Sequence, residues 1–181
     1  MGRPSKLTPV LRVNLDDREA VAKRLISDGV MRAVVDLKND ERAAMAQIKI
    51  MLIAGDLRRV LGTPEFHAHR FEFAVATGRI DLLLFHADGG MTIVEIKADS
   101  SNVNDIAAGI GQLFMYSIAL PAALADRQKP KYIDLILCAP VAPARSLSLM
   151  QACMVAGVRF VHLAPYSVLK SHIDALKQKA A

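Results

Sequence analysis

Two neighbouring strand-like segments near the middle of this 181-residue chain are largely apolar on both faces, yet they carry three charged side chains. The segments read Arg-Ile-Asp-Leu-Leu-Leu-Phe over residues 79–85 and Met-Thr-Ile-Val-Glu-Ile-Lys-Ala over residues 91–98. The charges at core-like positions are Asp81, Glu95 and Lys97. Because burial of an isolated charge is costly, these side chains must compensate one another, bind an ion, or do both.

The turn between the two segments predicts where these charges meet. Residues 86–90 read His-Ala-Asp-Gly-Gly, which is typical of a hairpin turn. If the turn is centred on Asp88, the numbers of opposed residues sum to 176, so Asp81 faces Glu95. Two opposed carboxylates repel each other unless a cation lies between them, and Lys97 follows on the same face. Two carboxylates beside an amine could hold Mg²⁺ and orient a water molecule against a phosphodiester.

Hydrophobic periodicity and turn signals predict a helix–strand order of αβββαβαβ for the central part of the chain. This order indicates an α/β fold with a mixed central sheet and helices on both faces. Residues 2–13 are expected to form a loose basic arm, and one extra helix is predicted at each end, over residues 14–27 and 167–179. We expect residues 1–38 to be an arm with an accessory helix and residues 39–181 to form the main domain of a single globular unit. The core elements are predicted at residues 39–61 (helix), 66–75, 79–85 and 91–98 (strands), 104–120 (helix), 132–138 (strand), 146–156 (helix) and 158–163 (strand).

Composition narrows the class of protein. Cys138 and Cys153 lack metal-ligand spacing, and the first residues lack a basic stretch followed by an apolar one, so we expect a reduced, cytoplasmic protein. Apolar runs such as residues 82–85 are far shorter than the roughly 20 residues of a membrane helix, so no membrane association is expected. The chain is 52% hydrophobic, which excludes a disordered or disulfide-stapled class.

Charge is unevenly distributed along the chain. Residues 63–126 hold 3 Lys or Arg and 8 Asp or Glu, whereas residues 1–62 and 127–181 are each net basic. Basic flanks suit binding to nucleic acid, but an acidic centre repels phosphate unless something neutralises it. A divalent cation would do so.

The pattern of Asp81, thirteen intervening residues and then Glu95-Ile96-Lys97 resembles the PD-(D/E)XK nuclease superfamily. The resemblance implies a restriction-endonuclease-like fold in which Asp81 and Glu95 bind Mg²⁺ or Mn²⁺, with the Ile96 carbonyl as a backbone ligand. It also implies that Lys97 assists the attacking water. Isoleucine rather than the proline of the superfamily's name precedes Asp81, as in many members of the branch considered next.

Further residues are similar to the Gln-x-x-x-Tyr branch of that superfamily. Gln112 and Tyr116 stand four residues apart on a predicted helix, and the resemblance implies that they help to place DNA. Glu41 occupies the place of the branch's helix-borne third acid, although an acid favoured by the helix dipole is an equal alternative. Glu72 is a rival third acid, with a solvated strand face as the favoured alternative. Arg79 is a candidate phosphate contact, or equally a plain surface arginine.

These residues together predict a Mg²⁺- or Mn²⁺-dependent deoxyribonuclease that acts in recombination, repair or phage DNA processing. DNA is the expected partner, and the resemblance leaves a homodimer open. The alternative is a non-catalytic module that uses the same fold to bind DNA or protein. The complete Asp, Glu and Lys set favours the nuclease, because two acids exceed what one lysine neutralises.

Overall fold

The computed structural model describes residues 8–9, 44–45, 48–49, 51–52, 56–97, 103–125, 128–140 and 143–163. The six residues described between 44 and 52 are helical. The predicted helices over residues 14–27 and 167–179 lie outside the described residues. From residue 44 onward the elements follow the predicted order αβββαβαβ. The elements are β1 (Thr8–Pro9), α1 (Leu57–Leu61), β2 (Phe66–Val75), β3 (Gly78–His86), β4 (Met91–Ile96), α2 (Val103–Ala123), β5 (Ile133–Pro140), α3 (Pro143–Val155) and β6 (Arg159–Leu163).

The strands form one mixed sheet in the order β1-β2-β3-β4-β5-β6. Strands β1 to β4 pair antiparallel. Short turns join β2 to β3 and β3 to β4, which accounts for the direction of these two pairings. Strands β4, β5 and β6 pair parallel, because α2 and α3 carry the chain back between them. The structure confirms the predicted α/β fold with a mixed central sheet flanked by helices.

A hydrophobic core lies on each side of the sheet, as expected when strands carry apolar residues on both faces. On the side that we call the α1 face, α1 and the helical residues between 44 and 52 cover side chains such as Leu82, Val94 and Cys138. On the other side, the α2 face, helices α2 and α3 cover side chains such as Leu83 and Ile93. The end of β4 therefore lies between two buried layers.

The predicted helix over residues 39–61 is wrong at Asp56, which is not helical and precedes a new helix, α1. The backbone N–H of Asp56 donates to the Met51 carbonyl at 2.9 Å, and the Asp56 carbonyl accepts from Val60. The sequence has Gly55 immediately before this point, and glycine has a low helix propensity. The end of the helix was predicted correctly, because Gly62 adopts a left-handed conformation with φ of 61° and terminates α1.

The N-terminal arm differs from the prediction at two residues. Thr8 and Pro9 form β1 and pair with His69 and Ala68 of β2, so the expectation of a loose arm is wrong there. Proline lacks an N–H but is tolerated in an edge strand, where β1 lies.

Helix α2 contains residues 104–123, which are long and apolar enough to span a bilayer, with a mean hydropathy of 1.5. No uninterrupted apolar run reaches this length, because polar residues such as Gln112 and Ser117 interrupt it. One side of α2 packs against the sheet, while Phe114, Met115 and Ile118 are exposed. Core helices of soluble proteins can be equally long and apolar. The absence of membrane association therefore stays a prediction.

The alternation of side chains between the two faces of the sheet is interrupted at one position in β2 and β3. Phe71 packs into the core of the α1 face and Phe73 into that of the α2 face, although alternation would put both on one side. The residue between them, Glu72, has a φ of 53°, a left-handed conformation that is unusual for a residue other than glycine. The partner strand changes sides at the same level, because Ile80 packs on the α2 face and Leu82 on the α1 face. Glu72 therefore marks a kink of the β2–β3 hairpin.

This kink leads to a prediction for Glu72. Replacement Glu72→Val should lower the free energy of unfolding by about 1–2 kcal/mol relative to Glu72→Gly, because a β-branched side chain disfavours the left-handed conformation. Strand propensity alone would predict the opposite order. Urea unfolding of both variants measures the difference. Ala74→Val, at an exposed position on the same strand, is the control and should cause no loss. Equal stability of the two Glu72 variants would contradict the kink.

Candidate active site

Asp81 and Glu95 lie on adjacent strands in the predicted register. The residues paired between β3 and β4 are Leu82 with Val94, Leu83 with Ile93, Leu84 with Thr92 and Phe85 with Met91, and each pair sums to 176. The pairs end at Leu82 with Val94, so Asp81 and Glu95 lie one residue beyond the paired ladder. The structure confirms the register that the turn predicted.

The Asp81 carboxylate binds the backbone at the end of β4. Its Oδ2 atom accepts a hydrogen bond from the Ile96 N–H at 2.7 Å. The last strand pair between β3 and β4 is Leu82 with Val94, so the Asp81 side chain extends the contact beyond the ladder. Burial raises the pKa of the Cys138 thiol on β5, and the negative charge of Asp81 raises it further. Asp81 thus links β3 to the end of β4.

Glu95 and Lys97 form a buried ion pair at the end of β4. The Lys97 Nζ atom lies 2.7 Å from Oε1 of Glu95. Side-chain exposure is 4% for Glu95 and 17% for Lys97, so the pair is largely shielded from water. The backbone here is fixed by β5, because the Lys97 N–H donates to the Cys138 carbonyl at 2.8 Å. Because little water reaches the pair, each charge depends on the other for its stabilisation.

Helix α2 contributes Gln112 to this pair. Lys97 Nζ donates a second hydrogen bond, of 2.5 Å, to the Gln112 side-chain oxygen. The Gln112 amide nitrogen in turn lies 3.3 Å from the hydroxyl of Tyr116, one helical turn further. The four side chains of Glu95, Lys97, Gln112 and Tyr116 therefore form one continuous network, although Tyr116 is only 4% exposed and belongs to the core. The DNA contacts predicted for Gln112 and Tyr116 stay predictions.

Two glycines lie beside this network, and the sequence reasoning missed the close contact that each one makes. A Cβ atom on Gly109 of α2 would lie 3.0 Å from Cε of Lys97 and 2.8 Å from Cδ1 of Leu137. A Cβ atom on Gly78, which has a φ of 147°, would lie 3.1 Å from the Tyr116 hydroxyl oxygen. A glycine inside an apolar helix is a sequence signal for a close approach, and Gly109 carried that signal.

Three other predicted residues lie apart from the network or outside the described chain. Arg79 and Glu72 form an exposed pair, with 3.6 Å between Nη1 and Oε2. Glu72 thus has the exposed strand position that was the favoured alternative to a metal ligand. Glu41 lies outside the described residues, so its role as third acid stays a prediction.

The donors at the end of β4 fit a hard divalent cation in type. Asp81 and Glu95 offer carboxylate oxygens and Ile96 offers a backbone carbonyl, which are the ligands that Mg²⁺ prefers. Within the described ranges, no group of three or more His, Cys, Asp or Glu side chains is placed to hold a metal ion. Mg²⁺ is commonly held by one or two carboxylates together with water and substrate phosphate, so two acids are sufficient for this metal.

Two solved structures are similar to the chain at low identity. One is the crystal structure of a repair endonuclease from Pyrococcus abyssi, with 20% identity and a TM-score of 0.42, covering 68% of this chain and 46% of that chain. The other is a structure of an EndoMS–dsDNA complex, with 20% identity and a TM-score of 0.43, covering 71% of this chain and 46% of that chain. The chain therefore spans less than half the length of either protein. No family model and no curated protein matches the chain.

The buried ion pair generates a prediction about stability. Lys97→Met should lower the free energy of unfolding by about 3 kcal/mol at pH 7 in the presence of EDTA, because it leaves the Glu95 carboxylate buried without its cation. Thermal or urea unfolding measures the loss. Arg79→Met breaks an exposed ion pair and is the matched control, with an expected loss below about 0.5 kcal/mol. An equally small loss for both variants would show that Lys97 and Glu95 do not depend on each other.

Proposed function

We propose that this protein is a metal-dependent deoxyribonuclease of the PD-(D/E)XK type, which hydrolyses a DNA phosphodiester by in-line attack of water. The observation that carries the proposal is the convergence of Asp81, Glu95 and Lys97 at the end of β4. Asp81 of β3 binds the Ile96 N–H, and Lys97 binds the Glu95 carboxylate, so one acid from β3 and an acid and an amine from the end of β4 meet at residues 95–97. A purely structural salt bridge needs one acid for one lysine, whereas Asp81 is a second acid at this strand end.

Asp81, Glu95 and the Ile96 carbonyl would hold Mg²⁺ or Mn²⁺, with Glu41 as a further acid through a second metal or a bridging water. When bound, the metal supplies Lewis-acid catalysis and makes an attacking water more acidic. The Lys97 ammonium has three N–H donors, of which Glu95 and Gln112 accept two. The third can hydrogen-bond the attacking water or a phosphate oxygen and stabilise the charge that develops there.

DNA is the proposed substrate because of the charge distribution. The segments 1–62 and 127–181 are net basic and would bind backbone phosphates, so affinity for DNA should fall steeply with salt. The exposed Arg79, beside Asp81 in the sequence, is a candidate phosphate contact. The proposal includes a cytoplasmic role in recombination, repair or phage DNA processing. It also includes a homodimer as the form that would cut two strands.

A non-catalytic binding module is the second candidate, and one observation favours it. Lys97 already neutralises Glu95 in a nearly dry environment, and an ion pair of this kind can be structural. Such a module would bind DNA or protein without needing a metal.

Cleavage assays with linear, circular, single-stranded and branched DNA test the proposal. The wild type should cleave only after Mg²⁺ or Mn²⁺ is added, and cleavage of circles would identify an endonuclease. Asp81→Asn, Glu95→Gln and Lys97→Met should each lower the rate by at least ~100-fold, because the first two weaken the proposed metal site and the third removes the amine that would stabilise transition-state charge. Asp56→Asn is the matched control, since Asp56 pairs with Arg59 on the surface and should retain full activity.

Binding of DNA without cleavage at any Mg²⁺ or Mn²⁺ concentration would favour the module instead. Cleavage that is equal in wild type and Asp81→Asn would indicate a contaminating nuclease and would refute the proposed site.

A further inference from the structure

We propose that helix α2 positions Lys97 for the reaction, with Gly109 making room for the lysine side chain and Gln112 holding its amine. This inference rests on the proposed nuclease function, and it assigns Gln112 a positioning role through Lys97 in place of a direct contact with DNA. Gly109 is a residue that the motif resemblance does not include.

Gly109 of α2 packs closely against the side chain of Lys97. Its bare α-carbon faces the Lys97 side chain, and an added Cβ would lie 3.0 Å from Cε and 3.4 Å from Cγ of Lys97. The same Cβ would lie 2.8 Å from Cδ1 of Leu137, which is fully buried and has no room to withdraw. An alanine at position 109 would therefore push the flexible lysine side chain away from α2.

Gln112 forms hydrogen bonds with both Lys97 and Tyr116. Its side-chain oxygen accepts from Lys97 Nζ, and its amide nitrogen lies 3.3 Å from the Tyr116 hydroxyl oxygen. An amide group placed between a donor and an acceptor has only one orientation that satisfies both. The Lys97 ammonium can only donate, so it fixes the Gln112 oxygen toward itself, and the Tyr116 hydroxyl accepts from the amide nitrogen on the other side.

The far end of the network is held by the β2–β3 hairpin. The Tyr116 ring and hydroxyl lie against Gly78, where an added Cβ would be 3.1 Å from the hydroxyl oxygen and 3.2 Å from Cε1. Tyr116 is 4% exposed, so its ring has little freedom to move. The lysine is therefore fixed through Gln112 to a buried tyrosine rather than to a mobile surface group.

Position matters because catalysis depends on geometry more steeply than binding does. A displacement of about 1 Å of a catalytic group can lower the rate about 100-fold. Loss of a positioning contact should therefore lower kcat and leave KM for DNA nearly unchanged, whereas loss of a DNA contact should raise KM.

The sharpest test compares Gly109→Ala with Gly111→Ala in the full-length protein with Mg²⁺ and a duplex DNA substrate. Both substitutions lie in α2 and gain the same helix propensity, but a Cβ on Gly111 meets nothing within 4 Å. Gly109→Ala should lower kcat at least about 10-fold with little change in KM, while Gly111→Ala should stay within about twofold of the wild type. Equal activity of the two variants, or a rise in KM alone for Gly109→Ala, would overturn the proposal.

A second measurement needs no activity and covers the case in which Gly109→Ala does not fold. Thermal unfolding in EDTA of Gln112→Leu, Lys97→Met and the double variant forms a double-mutant cycle. If Gln112 holds Lys97, the double variant should lose at least about 3 °C less than the two single losses combined. Additive losses would show that the two side chains are independent and would refute the positioning role. A coupled cycle in a wild type that never cleaves DNA would instead refute the proposed function and leave the contact established.

Discussion

The hydrogen bonds of one amine, Lys97 Nζ, join the sheet to helix α2. The amine binds Glu95 on β4 and Gln112 on α2, in a position where little water reaches either carboxylate or ammonium. Because Gln112 accepts from the same amine that pairs with the buried Glu95 carboxylate, this hydrogen bond ties helix α2 to the strand end. The apolar layer between them, which includes Ile93 and Leu113, supplies the packing that maintains their relative position.

The kink at Glu72 lies level with Asp81, where the ladder between β3 and β4 ends. A regular strand would continue its ladder with β4, but the last pair is Leu82 with Val94, and the Asp81 carboxylate then binds the Ile96 N–H directly. The left-handed conformation of Glu72 costs about 1–2 kcal/mol. The change of faces turns Phe73 and Ile80 into the core of the α2 face, and the burial of two large side chains offsets that cost.

Local patterns predicted much of the fold, because turn chemistry and periodicity act over a few residues. The Asp-Gly-Gly turn predicted the β3–β4 register correctly over the four pairs from Leu82–Val94 to Phe85–Met91. The features that were missed depend on distant partners. The pairing of Thr8 with His69 joins residues far apart in the sequence, and the left-handed Glu72 has no signal in a sequence that alternates as a normal strand. The burial of Tyr116 was also not predicted, because it involves contact with Gly78 on another element.

The neutral oxygen of Gln112 has a consequence for the proposed metal site that a second carboxylate would not have. A cation that approaches Glu95 competes with the ammonium of Lys97 for the same carboxylate and also repels it. If Glu95 were the lysine's only partner, cation binding would release the amine from the place where it is needed. Gln112 accepts from Lys97 without carrying charge, so its hold on the amine does not draw the cation away from Glu95. One acid can then bind the metal and leave the lysine beside it, because an uncharged amide on the facing helix retains the amine.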